Sequence, residues 1–227
     1  MHSDPTELTI INFHGIDEPA RDLEPGEAPF WLSRAQFCTA LDRVAIHPSR
    51  RQIGITFDDS NKSDLTIAVP ELLKRGLTAK FFILTGRFGA EGSLDESDVK
   101  ELFVAGMDIG SHGVAHRDLT CLAPDELGQE LSQSKRALEQ LRQGTINAFS
   151  VPFGRYNARV LTAIRMAGYR VIYTSDGGRS NPDHFLRPRR SLRNDMSMRD
   201  VDRVLTDRLS LVRRLRRTAA AAVKQLT

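Results

Sequence analysis

Cysteine is nearly absent. The 227-residue chain holds two, Cys38 and Cys121, far apart and in no metal-type pair. That argues against a disulfide framework and a thiolate metal site, and both are expected to be reduced core residues. Long apolar runs are absent too, since none approaches the roughly 20 residues a membrane span needs. The first residues, Met1 to Glu7, lack a basic stretch followed by an apolar one. No signal peptide is therefore expected, and the chain reads as cytoplasmic. No P-loop and no G-x-G-x-x-G motif occurs, which leaves nucleotide phosphate binding without support. No internal repeat is visible.

What is present fits one α/β domain with an appendage. An apolar content of 40% excludes general disorder. The net charge of +3 hides an asymmetry. Residues 187–217 carry 11 arginines against 4 aspartates, whereas residues 1–186 carry 20 basic and 25 acidic residues. The expected division is a domain over 1–196 and a basic helix over 197–227, packed on the domain or appended to it. Such a helix, with Val204, Leu205, Leu211, Val212 and Leu215 among its arginines, could lie against an anionic membrane. No nucleic-acid partner is expected, and the oligomeric state is left open.

Strand and helix patterns alternate. Leu8–Phe13 reads as a first strand ending at His14. Residues 17–29, rich in proline, glycine and acids, read as an exposed loop. Ser33 caps a helix to about residue 44, where Phe37, Leu41 and Val44 repeat at helical spacing. Strands are expected at 52–57, 78–84, 108–110, 146–151 and 169–174, and a short last one opens at Phe185-Leu186. Helices are expected at 64–75, 97–105, 158–167 and from Pro124 to a stop at Gly144. Ser197 caps the basic helix. The strands are nearly continuous apolar runs, which favours a mostly parallel sheet covered by helices. Residues with chemistry follow strands, namely His14, Asp58-Asp59, His112, Pro152-Phe153 and Asp176. In a parallel barrel such strand ends converge on one rim.

Asp58 and Asp59 end the apolar run 53–57. Two carboxylates at the end of a buried strand need compensation, which a cation gives. A surface turn is the plain alternative. His112 and His116 are four residues apart and on a helical turn would face the same way, a spacing that binds Zn²⁺. A cap and a surface histidine are the plain alternative. Two imidazoles and one carboxylate make a divalent-metal site and leave a second carboxylate as a base. That combination points to metal-assisted hydrolysis. Asp118 is a candidate to orient a ring nitrogen, or else a surface acid. His14 points to the same rim, as participant or core residue. Pro152-Phe153-Gly154 is a turn or an apolar wall with exposed N–H groups. Asp176 is a loop residue or a carboxylate that orients a charged partner. The arginines of 187–193 form a solvated face or supply one catalytic cation.

These residues resemble a known family. Thr56-Phe57-Asp58-Asp59 is similar to the T-F-D-D motif of the polysaccharide deacetylases with a NodB-homology domain, carbohydrate esterase family 4. Residues 105–116, ending Ser111-His112-Gly113-Val114-Ala115-His116, resemble the second motif, with Gly113 where the family has Ser or Thr. Val151-Pro152-Phe153-Gly154-Arg155-Tyr156 resembles the third, and the likeness spans about residues 8–192. The resemblance implies an α/β fold, an incomplete (β/α)7-type NodB-like barrel. It also implies a divalent metal, usually zinc, with Asp59, His112 and His116 as ligands and Asp58 as general base. Pro152, Phe153, Gly154 and Tyr156 are implied on the substrate side.

Two departures stand out. The third motif's arginine is Ser150 here, and the L-x-H of the fifth motif is not visible. In its place, residues 185–192 resemble an L-P-R-like segment of some members, so Arg189 is expected against Asp58 or Asp176. His14 and His184 are the candidates for the acid. The implied activity is removal of an N-acetyl group from an amino sugar in a polysaccharide, glycolipid or sugar precursor. The alternatives are hydrolysis of another non-peptide carbon–nitrogen bond, or a weakened sugar-binding homologue.

Overall fold

The computed structural model describes residues 7–206 and Lys224. Its strands are β1 (Leu8–Phe13), β2 (Ile53–Phe57), β3 (Lys80–Ile83), β4 (Asp108–Ser111), β5 (Ala148–Ser150), β6 (Val171–Thr174), β7 (Arg179–Ser180), β8 (Leu186–Pro188) and β9 (Arg190–Ser191). Its helices are α1 (Arg34–Ile46), α2 (Val69–Lys74), α3 (Glu96–Val104), α4 (Pro124–Arg142), α5 (Ala158–Met166) and α6 (Met198–Leu205). The sheet runs β7-β1-β2-β3-β4-β5-β6-β8, with β9 pairing back to β1. From β1 to β6 the neighbours are parallel. β8 extends β6 in parallel, and β9 runs parallel to β1, pairing Ile11 with Arg190 and Asn12 with Ser191. The segment 186–191 thus bridges the two edges of the sheet and bends at Arg189. The result is a nearly closed, barrel-like α/β sheet.

Strand alternation explains what lies on each side. The outward set Ile11, Phe13, Ile55, Phe57, Phe81, Ile83, Ile109, Phe149 and Ile172 is buried in the main core under the helices. Phe57 stacks on Phe81 at 4.6 Å and on Phe13 at 5.3 Å between centroids. The inward set forms layers. Ile10, Phe82, Ala148 and Tyr173 make an apolar plug. Asn12, Thr56 and Ser150 follow, one pleat nearer the rim, all buried. Asp58 and His112 are next in parity, so the sheet aims them into the mouth.

Several expectations needed adjustment. The two-residue strand β7 was not foreseen, because two residues carry no periodicity. α4 ends one residue early, with Gln143 in the left-handed region at φ 52°. Cys121 is exposed rather than packed. In α6, Val201, Val204 and Leu205 are buried in the core, and the helix packs on α1 and β1. Val204 and Leu205 are therefore not free to meet a membrane. Leu211, Val212 and Leu215 lie outside the described residues. No described helix is long and apolar enough to cross a membrane.

Candidate active site

The mouth of the barrel is a cavity of about 500 Å³. His14, Asp58, Asp59, His112, His116, Phe153, Asp176 and Arg189 are among its walls. Asp58 and Asp59 leave β2 at its C-terminal end and part company at once. Asp58 keeps the inward parity of the strand. Asp59 and Ser60 turn left-handed, at φ 78° and 59°. Such geometry persists only when its surroundings enforce it. Here Leu84 N–H donates to Ser60 Oγ at 2.7 Å and Leu94 N–H donates to Ser60 O at 2.9 Å.

His112 and His116 converge through a loop after β4, not along a helical turn. Gly113 at φ 93° turns the chain, and His116 itself is left-handed at φ 51°. Glu130 of α4 is buried and accepts from both Val114 N–H and Ala115 N–H at 2.7 Å. A Cβ at residue 113 would meet Glu130 Oε1 at 2.8 Å, so glycine is the residue that fits.

Each histidine uses its Nδ1 on the protein. His112 Nδ1 is 2.8 Å from the Ser150 carbonyl, and His116 Nδ1 is 2.9 Å from Glu24 Oε2. Both Nε2 atoms face Asp59 Oδ1, at 3.3 and 3.4 Å, and that oxygen is buried without an aligned hydrogen bond. Among the described residues these three side chains form the group suited to a metal ion, with ligand atoms within 4.8 Å of one another. Ligands held about 2.1 Å from one tetrahedral ion lie about 3.4 Å apart, and two nitrogens with one carboxylate suit a borderline divalent ion. The residues therefore fit a metal.

Electrostatics follow the geometry. Burial opposes ionisation of Asp58, but the Arg189 guanidinium, joined by the charges of His112 and His14, outweighs it and lowers the carboxyl to about 2. Burial likewise opposes ionisation of Asp59, and the histidines, His112 foremost, hold it well below the usual range. Burial works against a charged His112, yet Asp58 and Asp59 raise its pKa overall. Burial lowers that of His116 despite Asp59. Asp64, beneath the site, is pushed well above the carboxylate range by burial and by the charges of Asp59 and Asp58.

Arg189 lies at the bend between β8 and β9 and is 1% exposed. Its Nη1 donates to Asp58 Oδ1 and its Nη2 to Asp58 Oδ2, each at 2.8 Å. Further bonds reach Asn12 Oδ1 at 2.8 Å, Thr56 Oγ1 at 3.1 Å and Ser150 Oγ at 2.6 Å. Its plane rests over Phe82 and Tyr173. Between the two expected acids, it pairs with Asp58 and not Asp176. Asp176 instead accepts from Tyr156 Oη at 2.6 Å and pairs with Lys224 at 2.7 Å.

The remaining expected residues divide. His14 is at the rim against Phe30, 4.8 Å between centroids, with a buried Nδ1 that has no partner among the described residues. Phe153 is half exposed and packs on His116 at 4.3 Å. Pro152, Gly154 and Tyr156 are buried beneath that turn. The Gly154 and Arg155 N–H groups are used inside it, at 3.1 and 3.2 Å. His184 is exposed on the outer side near α5 and is not at the mouth. Asp118 bonds Thr120 and Arg155, so it does not orient a histidine. Sequence reasoning missed Glu24, Asn12, Phe30 and Glu130. For Glu24 and Phe30 one signal was available, namely a long loop leaving a strand on the rim side.

The comparisons agree with this geometry. The family profile described as polysaccharide deacetylase matches residues 45–172. A Bacillus subtilis protein named as a candidate polysaccharide deacetylase, YxkH, is 28% identical over 192 residues, covering 79% of this chain and 68% of that protein. The chitooligosaccharide deacetylase of Azorhizobium caulinodans is 28% identical over 128 residues, covering 56% of this chain and 60% of its own. The chain thus spans about three fifths to two thirds of these relatives. The fold is that of the Streptococcus pyogenes deacetylase PplD, with TM-score 0.75 at 23% identity, covering 89% of this chain and 99% of that one. A Bacillus cereus polysaccharide deacetylase, BC0361, aligns with TM-score 0.75 at 21% identity, covering 88% of this chain and 69% of that one. The family profile covers more than half of the chain, and the chain belongs to the polysaccharide deacetylase family.

Proposed function

We propose that the chain is a divalent-metal-dependent de-N-acetylase of an N-acetylated amino sugar. The observation that carries this is the separation of labour between neighbours. Asp59 turns toward two Nε2 atoms, while Asp58 is held apart from them by Arg189. A bound ion supplies Lewis acidity for the amide carbonyl and lowers the pKa of water from about 15.7 toward 7.

The chain's own residues do the rest. Asp58 is the general base. Its Oδ2 accepts from Asn12, Ser150 and Arg189, whereas Oδ1 takes its bond from Arg189 and keeps a lone pair for the water proton. Arg189 fixes that carboxylate in the plane the attack requires. Collapse of the tetrahedral adduct breaks the C–N bond, and the leaving amine takes a proton from His14, which lines the same cavity. Phe153 and Phe30 offer ring faces to the sugar. Acetate and the free amine are the products. Zinc is the ion we assign from the two nitrogens and one oxygen, and the cytoplasm is the location we assign, with a soluble or lipid-linked sugar precursor as substrate.

The test is metal content of the purified chain followed by acetate release from a panel of N-acetylated sugars, with small cyclic amides as controls. Acetate released only with metal present supports the proposal. Turnover of the cyclic amides alone overturns it in favour of another carbon–nitrogen hydrolase.

A further inference from the structure

The loop between β1 and α1 has a composition that reads as exposed, yet it is fastened to the rim. Asp17 N–H donates to Leu32 O at 2.8 Å and Leu32 N–H to Gly15 O at 3.1 Å. Glu27, buried in the loop, accepts from Arg21 through both Nη groups, from Trp31 Nε1 at 3.2 Å and from Glu24 N–H at 2.8 Å. Arg21 also donates to Asn61 Oδ1 at 3.2 and 2.9 Å, two residues past Asp59. A buried ion pair therefore joins this loop to the turn that presents the metal-facing carboxylate.

Glu24 hangs from that frame. Its Oε2 is 2.9 Å from His116 Nδ1, and its Oε1 pairs with Arg87. Arg87 in turn reaches Asp59 O at 3.4 Å. We infer that Glu24 is a positioning residue, the outer carboxylate that fixes the ring of His116 and strengthens it as a metal ligand. The inference rests on the metal reading above.

The chemistry is that of a carboxylate–histidine–metal triad. A carboxylate accepting from Nδ1 holds the proton there, so Nε2 presents a lone pair toward Asp59 Oδ1. The negative charge also makes the imidazole a better donor. His112 is held in the same tautomer by the neutral Ser150 carbonyl inside the barrel. The two ligands are therefore unequal. One is set by the backbone of a core strand, the other by a charged side chain 92 residues away in sequence. Asp118, two residues from His116, is occupied by Thr120 and Arg155, which leaves the task to the distant loop.

The test compares metal-free wild type, Glu24→Gln and Glu24→Ala by Co²⁺ titration, visible absorption of the bound Co²⁺, and Zn²⁺ competition against a chromophoric chelator. Glu24→Ala is expected to lose 10- to 100-fold in affinity and to alter the Co²⁺ bands. Glu24→Gln, which keeps an acceptor but not the charge, should lose less. The thermal midpoint of the metal-free protein should stay put, since Glu24 is 37% exposed. Wild-type affinity and spectrum in both variants overturn the inference. Nitrogen-15 spectra of the histidines in metal-free wild type give a readout that needs no variant. A protonated Nδ1 on His116 is expected, and a protonated Nε2 in its place overturns the role of Glu24. Wild type that takes up no Co²⁺ overturns the metal assignment itself, a failure distinct from affinity that is present but indifferent to Glu24.

Discussion

Arg189 meets Asp58 with two parallel hydrogen bonds of 2.8 Å, both partners almost fully buried. Neither is stable in that interior without the other, because an uncompensated buried charge costs several kcal/mol. Arg189→Met should therefore destabilise the metal-free protein by about 3–5 kcal/mol, read as a fall in the urea midpoint. Arg189→Lys should recover only part of this, since a lysine cannot form the fork. Equal stability of all three proteins would contradict the pairing.

The division between Asp58 and Asp59 makes a paired prediction. Asp58→Asn should nearly abolish acetate release while leaving metal content unchanged, whereas Asp59→Asn should lose both. His14→Gln should lower kcat by about 10²–10⁴-fold, the usual contribution of general acid catalysis, and keep the metal. A full rate in His14→Gln transfers the acid role elsewhere.

The depressed pKa of Asp58 sets a pH dependence. Its folded value is about 2, below the unfolded value of about 3.9. Its contribution to stability is then fully present above pH 4 and disappears as pH falls through about 2. The size is about 2 kcal/mol by linkage. Between pH 5 and pH 2.5 the metal-free wild type should lose more stability than Asp58→Asn, measured by urea unfolding. Parallel curves for the two proteins would refute the assignment.

Phe153 holds a left-handed backbone at φ 56° with its ring half exposed over His116. Relief of that conformation is worth about 1 kcal/mol and offsets the entropy a glycine adds to the unfolded chain. Phe153→Gly should leave stability within about 1 kcal/mol of wild type. Its KM should rise through loss of the ring face, with kcat changed less. An unchanged KM removes Phe153 from the substrate wall.

Much of the barrel was legible because its information is local. The run 53–57 is a strand in any context that buries both faces, and Asp58-Asp59 at its end fixes where the mouth opens. Ser33 was legible as a cap, and its hydroxyl accepts from Gln36 N–H as a capping box requires. What escaped is non-local. The helical spacing of His112 and His116 suggested a helical turn, but Glu130, arriving from α4, captures the intervening N–H groups and holds a loop instead. Glu24 looked like one more acid in a soluble loop, because nothing within its own neighbourhood announces Arg21, Glu27 and Asn61. Asn12 was hidden in a strand whose apolar neighbours suggested only core.

The bridge made by residues 186–191 has a consequence for assembly. Synthesis delivers both aspartates that follow β2 long before Arg189, and the contact between Arg189 and Asn12 closes across 177 residues. Until that last strand docks, the growing chain carries an open sheet edge along β1 and a carboxylate with no counter-cation. Such long-range closure is slow. Sealing of the barrel and pairing of the Asp58 carboxylate with its cation are thus a single late event.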